Sequence, residues 1–329
     1  MPPVDLVKYD RDVFDRRFMN CWRRQAMVGL KDRDVPVELL FFRSLVSTDQ
    51  IFEQIVKEGR RRYEFTSRFL DNSDLNQLGV SQVMLEPERP TDIVTIAESA
   101  WSVDNVVLLA GDVFYLPHCP EFRQKHTEHM ITLVGRRDGD WSIVDDGGGG
   151  ILCGYSYPDR VVFDFFENCT MKRMREFSVG KSPANARGDF ANTFLSVVSD
   201  YTDSLWFMNQ FEAYLQYPFS SRIEKSERLR DFFSIYSGSR NSFAQFCKIF
   251  PELGPLVNVM EDISRQAHAT QKRIAGKGGD FEGDDATVSF ASGLFDEIAR
   301  VERYVKTFLT ELASLDSRLD QQGVQQQVI

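Results

Sequence analysis

The chain has 329 residues, of which 42% are hydrophobic, and this is enough for two domains with apolar cores of their own. Its formal net charge of -10 argues against nucleic acid as the main partner, because binding to phosphates requires a basic surface. No stretch approaches the roughly 18 apolar residues of a membrane-spanning helix, so no membrane partner is expected.

The start of the chain and its thiols indicate the compartment. Residues 1–17 carry charges every few positions and contain no apolar segment, unlike a secretory signal. The cysteines are odd in number and form no CxxC pair, which favours reduced thiols over a disulfide framework. We therefore expect a cytoplasmic protein. The cysteines are Cys21, Cys119, Cys153, Cys169 and Cys247.

Composition changes along the chain. Residues 1–180 mix helical and strand patterns, whereas residues 181–329 are almost wholly helical. The stretch from Gly180 to Gly188 is rich in Gly, Ser, Pro and Asn, which is typical of a linker. The predicted fold class is α+β, with N-terminal helices packed on an antiparallel sheet and an all-helical second domain.

A helix is predicted to begin at Cys21, with Asn20 as its N-cap and Trp22 beside the thiol. Unpaired backbone N–H groups and the positive end of the helix dipole favour a thiolate at this position. The other interpretation is an ordinary buried cysteine on an amphipathic helix. The arginines near this helix start are Arg16, Arg17, Arg23 and Arg24.

The clearest hairpin joins the apolar segments 130–134 and 141–144 through an Asp138-Gly139 turn. His129 precedes the first segment and Asp145 follows the second, so antiparallel pairing brings their side chains close together. A carboxylate bound to one imidazole nitrogen leaves the other nitrogen for a nucleophile. Cys21, His129 and Asp145 are therefore the predicted nucleophile, base and orienting carboxylate, although a strand-end histidine and a capping carboxylate are the structural alternative.

Two histidine motifs raise the question of a metal. His118-Cys119 lies upstream of the His126-x-x-His129 pair. A structural zinc site needs four ligands, and no second spaced pair is present. We expect no metal ion.

Three segments in this order resemble a known group of enzymes. An early cysteine is followed by His-Met-Ile-Thr-Leu-Val-Gly from His129 and by Trp-Ser-Ile-Val-Asp ending at Asp145, as in papain-like cysteine enzymes of the bacteriocin-processing type. More narrowly, Asp112-Val-Phe-Tyr-Leu-Pro117 and the His126 motif make residues 15–175 similar to the N-terminal domain of the butirosin-type acyltransferases.

The resemblance implies a papain-like core and acyl transfer in natural-product biosynthesis. The cysteine would accept an aminoacyl or peptidyl group from the phosphopantetheine of an acyl or peptidyl carrier protein and pass it to an amine or alcohol, without a bound cofactor. Papain-type sites usually take an oxyanion donor from a Gln before the cysteine, and residues 1–20 contain none. Asn20 or backbone N–H groups would then serve, while Asp112 and Tyr115 would position substrate or be structural.

The arginines and the acyl acceptor each allow more than one interpretation. The four arginines would form a basic rim for an acidic carrier protein, or they are solvated helix faces. Water as the acceptor would make the protein a thioester hydrolase. A cysteine peptidase and a non-catalytic binding protein on a papain-like scaffold are further alternatives.

Near the end of the chain, apolar residues recur at spacings of three and four, which predicts one long helix. Its apolar seam must pack against neighbouring helices or against a second subunit, as a homodimer through residues 288–319. The seam consists of Ala291, Leu294, Ile298, Val301, Val305, Phe308, Leu312, Leu315 and Leu319.

Overall fold

A computed structural model describes residues 5–147, 151–181, 183, 185–206, 219, 221–277 and 285–321. Positions 182 and 184 of the predicted linker lie outside the described residues. The chain forms two compact units. The first unit comprises Met1–Val37 and Leu70–Ala184, and the second comprises Glu38–Phe69 and Asn185–Ile329.

The described helices and strands are numbered in chain order. They are β1 (Asp5–Leu6), α1 (Cys21–Lys31), a 3-10 helix (Val37–Ser44), α2 (Thr48–Phe52), a π-helical turn (Glu53–Lys57), a 3-10 turn (Arg62–Glu64), α3 (Asn72–Gln77), β2 (Val80–Leu85), α4 (Pro90–Trp101), β3 (Val106–Asp112), a 3-10 turn (Val113–Tyr115), β4 (Glu128–Arg137), β5 (Asp140–Asp146), β6 (Leu152–Pro158), α5 (Asp159–Glu167), β7 (Met174–Val179), α6 (Ala186–Ser199), α7 (Arg222–Cys247), a 3-10 turn (Pro251–Leu253), α8 (Gly254–Lys277) and α9 (Asp285–Gln321).

The first unit is built on one antiparallel sheet with the strand order β1-β6-β5-β4-β3-β7-β2. Strand β3 is buried at all seven positions, because helices cover both of its faces. Val107 and Leu109 belong to a core shared with α4 and α5, while Val106 packs under Gly29 of α1. This alternation follows from the two-residue period of a strand. The predicted α+β class, with a helical region after the sheet, is confirmed.

The β4–β5 hairpin turns at Asp138 and Gly139, which have φ angles of 53° and 84°. Two left-handed residues in a two-residue loop match the twist of paired strands, so the Asp-Gly signal identified the turn correctly. The two strands pair from Arg137 and Asp140 down to Thr132 and Val144. Beyond that point they separate, which leaves an opening between their ends.

The second unit includes a segment that the sequence analysis assigned to the first domain. Residues 38–69 belong to the same compact unit as α6 to α9, and a buried ion pair helps to hold them there. The Nε of Arg240 lies 2.7 Å from Oε1 of Glu302, and both side chains are at most 1% exposed. The Nη1 of Arg240 also donates to the carbonyl of Val46 at 2.9 Å. One guanidinium thus joins α7, α9 and the 38–69 segment.

The last described helix is α9, which runs without interruption for 37 residues. Phe308 is half-buried, and the side chains of Leu315 and Leu319 lie outside the described residues, as do those of residues 288 and 290. The homodimer therefore stays a prediction. No helix in the described part of the chain is long and apolar enough to cross a membrane. The seam residues that are at most 7% exposed within the second unit are Ala291, Leu294, Ile298, Val301, Val305 and Leu312.

Glu302→Met should lower the free energy of unfolding by about 3–5 kcal/mol, because it leaves the buried Arg240 charge without its carboxylate. The double variant Arg240→Met with Glu302→Met should lose less than the sum of the two single changes. Urea unfolding followed by circular dichroism measures both. As a matched control on the same helix, Glu297→Gln breaks an exposed pair with Arg300 and should change stability little. Equal effects of Glu297→Gln and Glu302→Met would contradict this.

Candidate active site

Cys21 is the first residue of α1, as the sequence predicted. The side-chain oxygen of Asn20 caps the helix by accepting from the backbone N–H of Arg23 at 3.2 Å. This cap holds the first turn, so the thiol projects from a helix start whose backbone N–H groups are not used by preceding turns. Because the side-chain oxygen of Asn20 is used in the cap, only the side-chain NH₂ group of Asn20 is left to donate to an oxyanion.

His129 and Asp145 meet at the opening between β4 and β5. They were predicted just outside their strands, but each is the second residue from the end of its strand: His129 pairs with Gly111 of β3 and Asp145 with Cys153 of β6. The Nε2 of His129 is 2.6 Å from Oδ1 of Asp145. Because Nε2 is bound to Asp145, Nδ1 is the ring nitrogen left for the Cys21 side, and His129 lowers the pKa of the Cys21 thiol. The structure thus brings the three residues together, with His129 interacting with both Cys21 and Asp145.

The backbone of the opening also supports the sulfur. The N–H of Met130 is a further cause that lowers the pKa of Cys21, and it therefore favours the thiolate. A strand that stayed paired to the end of the hairpin would direct this N–H to a neighbouring carbonyl. The separation of β4 from β5 therefore frees a backbone donor for the nucleophile.

These contacts set the ionisation of the site. Burial raises the pKa of Cys21, but the charge of His129 and the hydrogen bonds from His129 and Met130 outweigh it, so the pKa lies below its ordinary value. Burial lowers the pKa of His129, but the charge of Asp145, followed by that of Cys21, raises it well above the ordinary range. Both shifts favour a thiolate beside an imidazolium, which is the reactive form of a cysteine nucleophile.

Two residues that the sequence analysis did not assign to the site hold Asp145, whose side chain is fully buried. The Nε2 of Gln25 donates to Oδ1 of Asp145 at 3.1 Å and to the carbonyl of Met130 at 2.8 Å. Its Oε1 accepts from the hydroxyl of Thr132 at 2.7 Å. Gln25 lies four residues after Cys21 on the same face of α1, and this spacing was the available sequence signal.

His118 is the second support of Asp145. Its Nε2 donates to Oδ2 at 2.9 Å, and its Nδ1 is hydrogen-bonded to the hydroxyl of Tyr157 at 3.0 Å. The imidazole also stacks on Tyr155, with ring centroids 3.9 Å apart. Burial raises the pKa of Asp145, yet His129 and His118 together bring it below its usual value. Asp145 is therefore an ionised carboxylate shared by two histidines.

The same region contains the best metal-ligand set among the described residues. One ligand atom each from His118, Cys119 and Asp145 all lie within 4.8 Å of one another. The His118 and Asp145 atoms are already joined by a hydrogen bond, and burial, followed by the charges of Asp145 and Glu121, raises the pKa of Cys119. A protonated thiol is a poor metal ligand. The hydrogen bonds explain this arrangement without a metal ion.

The predicted basic rim is wrong for two of its four arginines. Arg23 and Arg24 are only 7% and 1% exposed, and Arg24 forms an ion pair with Asp146, the residue after Asp145. Exposed charge is the usual state of arginine, but here both guanidinium groups are covered and cannot meet a docking partner. Arg17 pairs with Asp15, and Arg16 is exposed.

Asp112 and Tyr115 lie beside His126. Asp112 accepts from Nδ1 of His126 at 2.6 Å and from the backbone N–H groups of Phe114 and Thr127. Tyr115 packs against Phe114, with ring centroids 5.1 Å apart. These contacts organise the turn after β3, which favours the structural alternative for both residues.

Gln25→Leu should slow acylation of Cys21 and lower the free energy of unfolding by about 1–3 kcal/mol, because the carbonyl of Met130 and the hydroxyl of Thr132 lose their buried partner. The matched control is Thr132→Val, which removes one bond of Gln25 but keeps its bond to Asp145. Stopped-flow acylation and urea unfolding separate the two effects. If Thr132→Val slows acylation as much as Gln25→Leu, Gln25 does not act through Asp145.

No protein-family model matches the chain. A curated protein of Niallia circulans is 25% identical over 123 residues; it is the ribostamycin:4-(gamma-L-glutamylamino)-(S)-2-hydroxybutanoyl-(BtrI acyl-carrier protein) 4-(gamma-L-glutamylamino)-(S)-2-hydroxybutanoate transferase. The match covers 37% of this chain and spans only 41% of that protein's length. The resemblance to butirosin-type acyltransferases is confirmed to this extent.

Proposed function

We propose that the chain is a papain-like cysteine acyltransferase that takes an acyl group from a carrier-protein thioester. The observation that carries the proposal is the arrangement of three residues in which the buried, ionised Asp145 binds His129 and His129 lowers the pKa of the Cys21 thiol. The similarity to a transferase named for an acyl-carrier protein supports the donor class. The acyl group would be aminoacyl or peptidyl, and the acceptor would be an amine or an alcohol.

The reaction has two halves. In the first, the Cys21 thiolate attacks the thioester carbonyl, a new carbon–sulfur bond forms, and the pantetheine sulfur leaves with a proton from His129. In the second, the acceptor attacks the acyl-enzyme, His129 takes the acceptor proton, and the Cys21 thiolate is released. Asp145 orients His129 throughout. The oxyanion would be held by backbone N–H groups at the start of α1, with the amide of Asn20 as a further donor.

Carrier docking is a separate part of the proposal. Of the four arginines near Cys21, Arg16 is exposed and Arg17 is partly exposed. Their position shortly before α1 suits contact with an acidic carrier protein. Arg16→Glu should slow transfer from a carrier protein and spare a small thioester that lacks the protein. Equal losses on both donors would reject the docking role.

The test uses the full chain with an aminoacyl carrier protein and, separately, with an aminoacyl N-acetylcysteamine thioester. Intact-mass spectrometry should show one acyl adduct, on Cys21, and added amine should convert it to the amide. Loss of the adduct to free acid at a rate independent of amine would instead make the protein a hydrolase. Cleavage of peptides without any thioester adduct would support a peptidase, and neither activity would leave a binding protein.

A further inference from the structure

Two guanidinium groups lie against the indole ring of Trp22, the residue that follows Cys21. The Cζ of Arg175, on β7, is 4.1 Å from the ring centroid, and the Cζ of Arg23 is 5.5 Å from it. Trp22 and Arg175 are half-buried, so solvent reaches this group of residues. We call Trp22, Arg23 and Arg175 the Trp22 cluster.

The positive charges of the cluster act on each other. The pKa of Arg23 falls to about 10, first because of burial and then because of the charge of Arg175. Burial also lowers the pKa of Arg175, and the next influence on it is Arg173, another cation. Contact with an aromatic face offsets only part of the cost of holding like charges together. The Arg175 guanidinium is therefore in a position that an anion would stabilise.

Arg175 also has hydrogen-bonding capacity to spare. Its Nε is buried and has no hydrogen-bond partner in the part of the chain that the structure describes. Buried donors in folded proteins nearly always have a partner, and one without a partner calls for an explanation. A planar guanidinium is well suited to bind both oxygens of a carboxylate. Geometry and charge thus point to the same kind of ligand.

We propose that the Trp22 cluster binds a carboxylate carried by the acyl group that is transferred to Cys21. The inference rests on the proposed function, because it names the acyl groups that the nucleophile accepts. Trp22 directly follows Cys21 in α1, so the cluster begins within one helical turn of the residue that would carry the acyl group. The phosphate of a carrier protein lies at the opposite end of the pantetheine arm, which makes it the less suitable anion.

The test compares matched substrates on the full chain. Succinyl, glutaryl and adipyl thioesters of N-acetylcysteamine each carry a terminal carboxylate, and their terminal amides differ only in that group. The wild-type chain should acylate Cys21 with the best carboxylate about 10- to 100-fold faster than with its amide. Arg175→Met should remove this preference by slowing the carboxylate substrate alone. The control is Arg173→Met, since Arg173 is more exposed and pairs with Glu86.

Three outcomes would overturn the proposal. The wild-type chain could show no preference for a carboxylate at any length, or Arg175→Met could slow both substrates equally. Arg175→Met could instead slow transfer only from phosphopantetheine thioesters, whatever the acyl group, which would assign the cluster to the phosphate. If the wild-type chain accepts no thioester at all, the proposed function fails together with this inference, and this result is distinct from acylation without selectivity.

Discussion

Cys21→Ala should abolish the acyl adduct and reduce transfer by about 10³- to 10⁶-fold, to the background reaction of the thioester. The wild-type Cys21 thiol should also react with iodoacetamide at a lower pH than an ordinary cysteine does. The physical reason is the lowered pKa of Cys21, which His129 and the Met130 N–H maintain against the opposing effect of burial. Intact-mass spectrometry follows both reactions on the same protein.

Cys119→Ala is the matched control for this prediction. Cys119 is also half-buried, and it lies next to His118 in the same region. Burial and the negative charge of Asp145 raise its pKa instead of lowering it. Cys119→Ala should therefore keep both the acyl adduct and the labelling of Cys21 by iodoacetamide at low pH. Two results would show that the nucleophile has been misassigned. One is a loss of the acyl adduct in Cys119→Ala, and the other is labelling of Cys21 with the pH dependence of an ordinary thiol.

The sequence allowed prediction of those parts of the site that depend on local rules. Asn20 caps the helix that Cys21 begins, because a side-chain oxygen at this position accepts from a backbone N–H three residues later. The Asp138-Gly139 turn joins the two strands that carry His129 and Asp145, although the register shifts between Leu133 and Gly135 before their ends. Each of these features is determined within a few residues of chain or within one hairpin.

The parts that the sequence did not reveal depend on packing between distant segments. His118 reaches Asp145 only because β6 brings Tyr155 and Tyr157 under its ring, and no spacing rule connects these positions. Residues 38–69 have the apolar pattern of any core helix, so the sequence does not say which unit they join. Arg24 was expected to be exposed, as arginines usually are, but the ion pair with Asp146 accompanies its burial.

Asp145→Asn should slow acylation of Cys21 by about 10³- to 10⁴-fold. Asp145 accepts hydrogen bonds from His129, Gln25 and His118 in a fully buried position. An asparagine replaces one acceptor oxygen with a donor group, so at least one of these donors must lose its bond or, for a histidine, change tautomer. Single-turnover acylation measures the loss, with Asp112→Asn as the control because Asp112 is also buried and also binds a histidine.

The pH dependence gives this prediction a direction as well as a size. The reactive pair needs a thiolate, present above the pKa of Cys21, and an imidazolium, present below the pKa of His129. The Asp145 charge raises the pKa of His129 against the lowering effect of burial, so Asp145→Asn should move the alkaline limit of reactivity to lower pH. Asp112→Asn should leave both limits in place. If Asp145→Asn reacts within about tenfold of the wild type with an unchanged alkaline limit, this carboxylate does not orient the histidine, and Cys21 and His129 act as a pair without it.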